Sequence, residues 1–292
     1  MIVVSDEVRE ARAVVALETT LVAHGFPPGE GLAVGLESER HVRDAGAVPA
    51  TIGVLDGSIR VGLSPEELAR FDDSARKASA RDLAVCVAQG AVGATTVGGT
   101  LAVCRVAGIQ FMGTGGLGGV HRGFPRPPDV SADLGELART QVVVVSAGIK
   151  SLLDVPATVE LLETVGVPLI GFRTDVLPLF YSAEGGPAVP ARIESAEEAA
   201  RVAAAHWELG GGGLLVAQPP PLSLDDIEPL IQQALEEAER QRVAGPAVTP
   251  FVLSYLHARS GGRTLAANRE LAVANAGLAA QIAVASASAS GS

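Results

Sequence analysis

Lys150 stands alone at the end of an apolar run, after valines 142–145 and then Ser146, Ala147, Gly148 and Ile149. Burial disfavours an ammonium ion, so a lysine in that setting is expected to titrate below its ordinary value of about 10.4. A neutral amine there can attack an aldehyde carbon and form a Schiff base; the position equally suits a surface lysine that closes a strand. Upstream, Asp129 follows two prolines, and Ser131, Ala132 and Asp133 come just after it. A carboxylate on a rigid loop can hold a divalent cation, largely through waters, or it can cap the helix that begins there. Glu18 ends an apolar stretch beside Thr19 and Thr20, where a carboxylate can donate a proton or cap the next turn. Thr95, Thr96 and Val97, followed by Gly98 and Gly99, place backbone amides at a helix start that could cradle a phosphate. Lys77 could pair with that phosphate or lie in solvent. None of these signals is specific alone.

A glycine run, Gly113-Thr114-Gly115-Gly116-Leu117-Gly118, matches GxGxxG after an apolar segment. A dinucleotide loop needs a helix to begin at those glycines so that its N-terminus can hold a pyrophosphate. Gly123, Pro125, Pro127 and Pro128 follow too soon for such a helix, and no acid sits where a ribose would want it. No nucleotide cofactor is expected. Gly148–Ser151 likewise lacks the spacing of a phosphate-binding P-loop.

The elements that must position these groups are short Val/Ile strands alternating with Ala/Leu/Glu helices. Strands are predicted at residues 13–17, 51–55, 58–62, 109–112, 141–146, 168–172 and 214–217. Asp56-Gly57 supplies a hairpin turn between the second and third. Helices are predicted at 32–45, from Ser64 onward, and at 101–107, 132–140, 156–165, 195–210, 224–241, 249–260 and 265–285. Residues 77–82 read as a polar connection, and residues 93–100 as the opening of a helix. The alternation predicts one three-layer α/β/α domain over residues 1–285, with a mixed, largely parallel sheet. Residues 286–292 (SASASGS) read as a disordered tail.

At 292 residues and 48% hydrophobic, the chain can bury a large core. A net charge of −11 argues against a nucleic-acid or anionic-membrane surface, while leaving room for one local phosphate pocket. Cys86 and Cys104 sit in apolar surroundings with no CxxC spacing, which fits buried thiols in a reducing cytoplasm. No apolar run approaches the ~18 residues of a membrane span, and the N-terminus lacks the features of a signal peptide. His24, His41, His206 and His257 read as structural or surface residues, with His24 the first to check.

Taken in order, VALETTLVAHG, GAVPATIGVLDG, KASARDL, GATTV, GTGGLGGVHRG, DVSADL, AGIKSLLD, TVELLETVGVPLIGF, VTPF and the closing N-x6-N-A pattern resemble the pseudouridine-5′-phosphate glycosidases, the family that includes the indigoidine-synthase-A-like proteins. The resemblance spans residues 14–282. It implies that Lys150 is the Schiff-base nucleophile, Glu18 the proton donor and Asp129 the ligand of Mn²⁺, with Mg²⁺ an alternative. It also implies that Lys77, Thr96, Val97, Thr114, Ser131, Ala132 and Asp133 bind the sugar phosphate, and that His121 and Asn268 lie near the nucleobase, His121 with a catalytic part. A homotrimer of α/β/α subunits acting on ribose 5-phosphate and a nucleobase-like carbon nucleophile is the implied assembly and chemistry.

The chain departs from the family pattern at Phe26, at Pro127-Pro128 before Asp129, at Ala80-Arg81, across residues 174–181 and at Gln218. Such drift leaves C1′ and phosphate chemistry in place and opens the identity of the aglycone. A C-glycoside or C-nucleoside synthase using another carbon nucleophile is the first alternative. A non-catalytic sugar-phosphate-binding trimer is the second, opposed by the joint presence of Glu18, Lys150 and Asp129.

Overall fold

The computed structural model describes residues 1–123, 129–243 and 245–289. The chain begins β1 (Ile2–Val4), α1 (Asp6–Glu10), β2 (Val14–Glu18), α2 (Thr20–His24), α3 (Glu30–Asp44), β3 (Val48–Leu55), β4 (Ser58–Val61) and α4 (Pro65–Leu68). It continues β5 (Arg76–Ala78), α5 (Leu83–Gln89), β6 (Gly93–Thr95), α6 (Val97–Ala107), β7 (Phe111–Gly113), α7 (Ala132–Arg139) and β8 (Val143–Ser146). It closes α8 (Val155–Thr164), β9 (Leu169–Phe172), β10 (Ala191–Ile193), α9 (Ala196–Glu208), β11 (Leu214–Ala217), α10 (Glu228–Arg240), α11 (Val248–Arg259) and α12 (Arg263–Ala289).

These strands form one mixed sheet in the order β1-β4-β3-β2-β7-β8-β11-β9-β10, with β6 paired to β3 and β5 paired to β6. All pairings are parallel except β3 with β4 and β3 with β6. The central strands are apolar runs because helices cover both of their faces. Alternate residues therefore enter different cores. Val15, Phe111, Val143, Val145 and Val216 join one cluster with Ala276 and Ala280 of α12. Ala16, Met112, Val144 and Leu215 join the other with Leu101 of α6 and Leu134 of α7. The fold is the expected α/β class with a mixed, mostly parallel sheet.

Local chemistry explains several boundaries. Asp56 and Gly57 both take positive φ (50° and 70°), so β3 and β4 close as a tight hairpin with Leu55 opposite Ser58. Ser64 and Glu67 form a reciprocal capping box at α4, with Pro65 in its first turn. By length and apolar composition α12 alone among the described residues could cross a bilayer. It is instead the core helix of one layer, packed on β2, β7, β8, α3 and α9.

Four sequence expectations need correction. Residues 77–82 are not all connection, because Lys77 lies on β5, in parallel register with Ala94. Residues 93–95 form strand β6 rather than a helix start, and α6 begins only at Val97. The tail is helical through Ala289, with residues 290–292 outside the described ones. Strands β1 and β10 and the short helix α1 had no counterpart in the pattern; elements of three to five residues show too little periodicity to detect.

Candidate active site

Strand β2 pairs with β3 on one side and β7 on the other, so the chain reverses its direction of sheet growth there. In open α/β sheets such a reversal leaves a crevice beyond the carboxyl ends of the strands. A cavity of about 430 Å³ lies there. Glu18 ends β2, Thr114 follows β7, and Lys150 lies in the turn after β8; all three line it. Lys77, Thr96, His121, Asp129, Ser131 and Ala132 line it as well, as do Asp133 and Asn268. Val97 does not, because its side chain is buried in the core and 1% exposed. Only its backbone can face a ligand.

The glycine run is a ribbon laid along the lysine turn. Ala147 N donates to Gly115 O (3.0 Å), Leu117 N to Gly148 O (3.0 Å) and Lys150 N to Leu117 O (3.1 Å). No helix starts among residues 113–123, while the prolines at 125, 127 and 128 lie outside the described residues. The turn itself depends on Gly148, whose φ of +78° places any added Cβ 2.0 Å from Pro178 O. An L side chain is excluded there twice over, by backbone and by space.

Glu18 is 9% exposed, and Thr114 Oγ1 donates to its Oε1. Burial pushes its carboxyl above the ordinary range, against the opposing pull of Lys150, Thr114 and Lys77. A carboxylic acid that keeps its proton is what general-acid work near neutral pH requires. Lys77 is half-buried and lowered from its usual value, first by burial and then by the charge of Lys150. His121 Nδ1 lies 3.8 Å from Asp129 Oδ2. Burial lowers His121 too; Asp129 opposes the shift, and Lys77 and Lys150 add to it.

Asp133 has a narrower part than expected. Its Oδ1 accepts from Gly98 N (2.7 Å) and its Oδ2 from Gly118 N (3.0 Å). Its own amide goes to Ser131 Oγ (3.2 Å). With Gly99 N bonded to Thr96 Oγ1 (3.2 Å), the start of α6 keeps the Val97 amide for an anion. Asp133 thus ties α6, α7 and the glycine ribbon together on the cavity wall.

Asp129, whose side chain is 38% exposed, has His121 as its nearest potential co-ligand. Among the described residues no three His, Cys, Asp or Glu side chains converge as a metal cage. One carboxylate with an imidazole beside it fits a hydrated divalent cation completed by waters and substrate oxygens, and does not fit a closed protein site.

Sequence reasoning passed over part of the wall. Phe180 sits beside the glycine ribbon, and its positive φ of 62° marks local strain. Its ring would lie 2.5 Å from a Cβ added at Gly116, which also faces Lys150 Cγ at 3.3 Å. His24 lines the cavity, with Nε2 donating to Ala75 O (3.0 Å). Ser79 and Arg81 edge its mouth, and Thr249, Pro250 and Leu253 of α11 close its far side. Asn268 Nδ2 donates to Gly25 O (3.1 Å), anchoring the turn after α2. Two departures from the family pattern, Phe26 and Gln218, lie off the cavity wall.

Comparison with known proteins places this arrangement. The chain is 47% identical to a pseudouridine-5′-phosphate glycosidase of Geobacillus kaustophilus (strain HTA426), over 97% of each chain. It is 47% identical to a pseudouridine-5′-phosphate glycosidase 2 of Photorhabdus laumondii, over 96% of this chain and 94% of the relative. Among solved structures it superposes on the prealnumycin C-glycosynthase AlnA, determined in complex with ribulose 5-phosphate, with TM-score 0.89 and 39% identity. That match covers 100% of this chain and 98% of the other. An indigoidine synthase A-like protein from Thermotoga maritima gives TM-score 0.88 and 40% identity, over 97% and 96% of the two chains. Residues 3–285 match the family described as indigoidine synthase A like protein, and the chain belongs to that family.

Proposed function

We propose that this protein cleaves and forms the C–C glycosidic bond between C1′ of ribose 5-phosphate and a pyrimidine carbon, through a Schiff base on Lys150, with pseudouridine 5′-phosphate as substrate. The observation that carries this reading is the meeting of Lys150 in one cavity with a buried Glu18, whose carboxyl burial raises. A C–C bond offers no leaving oxygen to protonate, so the carboxylate pair of ordinary glycosidases cannot break it. Lys150 Nζ attacks C1′ while Glu18 protonates the ring oxygen as the C1′–O4′ bond breaks. His121 or a water then protonates the pyrimidine carbon, the C–C bond breaks, and an iminium remains between C1′ and Lys150. Water hydrolyses it and frees ribose 5-phosphate.

Lys77, Arg81 and the Val97 amide hold the phosphate at the start of α6. Asp129 would hold Mn²⁺, which offsets anionic charge on the substrate. The assembly is a homotrimer, and the buried, unpaired Cys86 and Cys104 suit a cytoplasmic setting. The likeness to the C-glycosynthase AlnA supports a second reading, in which the same lysine joins ribose 5-phosphate to a different carbon nucleophile.

Reduction with borohydride in the presence of ribose 5-phosphate should add the sugar phosphate to the peptide containing Lys150, as read by mass spectrometry. A protein that traps no adduct sinks both readings. An adduct without release of uracil from pseudouridine 5′-phosphate, or its reversal, sinks the first and leaves the second.

A further inference from the structure

Glu39 is a buried carboxyl, 9% exposed on α3, with no part in the chemistry above. Thr51 Oγ1 of β3 donates to its Oε1 at 2.5 Å. Thr51 also walls a second cavity, of about 20 Å³, whose other polar walls are Glu18, Ser38 and Thr114. One water needs about 10–15 Å³ and two to four polar partners. Leu17, Leu21, Val22 and Ala272 complete the walls, so a water there has those four residues to bond to. Ser38 Oγ donates to Val34 O (2.9 Å) and Thr114 Oγ1 to Glu18, which leaves the lone pairs of both hydroxyls for it.

We propose that Glu39, Thr51 and one water form a rear proton relay that recharges Glu18 in each turnover. The proposal rests on Glu18 as the acid of the reaction described above. The proton given to the ring oxygen stays with the product when ribose 5-phosphate leaves in its open form. The Thr51 hydroxyl, which donates to Glu39 at rest, turns its hydrogen to the water and accepts from Glu39 in exchange, so the rear route runs Glu39 to Thr51, Thr51 to water, water to Glu18. The balance closes. Lys150 sheds one proton on attack and the consumed water supplies two; one goes to the pyrimidine carbon, one returns to Lys150, and the third goes to solvent. Solvent returns an equal one through Glu39.

The charged groups facing Glu18 are Lys150, Lys77 and Asp133, and those facing Glu39 are Arg43 and Glu7. Burial raises the Glu39 carboxyl, with Thr51 and Arg43 opposing, which favours its protonated form. Arg43 and Glu7 pair with one another at the surface, half exposed.

Glu39→Gln can still accept from Thr51, so a purely structural Glu39 tolerates it. Rapid-quench assay of uracil release from pseudouridine 5′-phosphate should show a burst of about one equivalent at the wild-type rate, then steady turnover slowed about tenfold or more, with KM falling in step so that kcat/KM is unchanged. Thr51→Val should behave alike, and Thr51→Ser like wild type. A Glu39→Gln enzyme with the wild-type steady rate, or with burst and steady rate slowed together, overturns the relay. If Thr51→Val fails to fold, Glu39→Gln against Thr51→Ser decides the same question. Wild-type protein that releases no uracil overturns the function itself, and the relay with it.

Discussion

The Asp133 carboxylate takes the Gly98 amide at 2.7 Å, joining the first turn of α7 to the first turn of α6. Its second oxygen takes Gly118. One buried side chain, 5% exposed, therefore sets the spacing between the first turn of α6 and the ribbon beside Lys150.

Asp133→Asn replaces one of those acceptors by an amide donor facing an amide donor. The loss should be about 1.5–3 kcal/mol of stability, measured by urea unfolding. KM for the sugar phosphate should rise with it, because the α6 start moves relative to Lys150.

Glu18 is raised from 4.5 by burial, which gives a signed pH dependence. Its folded state prefers the protonated form, so its contribution is fully present below the unfolded value and is lost as pH rises through the folded one. Thermal unfolding of Glu18→Gln and wild type should thus diverge in favour of the variant as pH rises above about 4. Activity should show the converse: wild-type turnover falls as pH rises through the Glu18 value, and Glu18→Gln is slow throughout, by about 10²-fold or more.

Gly116 and Gly148 constrain Lys150 from two sides. Gly116→Ala pushes on the Phe180 ring and the Lys150 stem, and should cut the rate of borohydride-trapped adduct formation about tenfold while the protein stays folded. Gly148→Ala meets both positive φ and Pro178 O and should cost at least ~2 kcal/mol, visible as a lowered melting temperature.

Asp129→Ala removes the carboxylate proposed to hold Mn²⁺. Electron paramagnetic resonance of free Mn²⁺ should show binding weakened about tenfold or more, with trapping at Lys150 still detectable. Unchanged Mn²⁺ binding would move the cation elsewhere in the cavity.

Much of this was legible in the residues. The apolar runs at β2, β3 and β8, the Asp56-Gly57 hairpin and the Ser64-Pro65 helix start are local signals, and each appears where its chemistry dictates. Eleven of the twelve residues assigned to the site line one cavity. What stayed hidden was long-range. Lys77 looked like part of a polar loop because β5 is three residues long and is held by pairing with β6, not by its own pattern. The tie that Asp133 makes between α6 and the glycine ribbon was hidden, because nothing local shows that Gly98 and Gly118 converge on it. Phe180 and the α11 wall could be placed only once the chain had closed.

The cavity draws its walls from many stretches of the chain. Glu18, Thr114 and Lys150 ride on strand ends in the middle of the sheet, whereas Thr249, Pro250 and Leu253 arrive on α11, after the last strand of the fold. The strand-end groups and the α11 groups thus enter the cavity on separate elements, so exchanging residues 245–253 for those of a relative changes one wall while leaving Glu18, Thr114 and Lys150 on their strand ends.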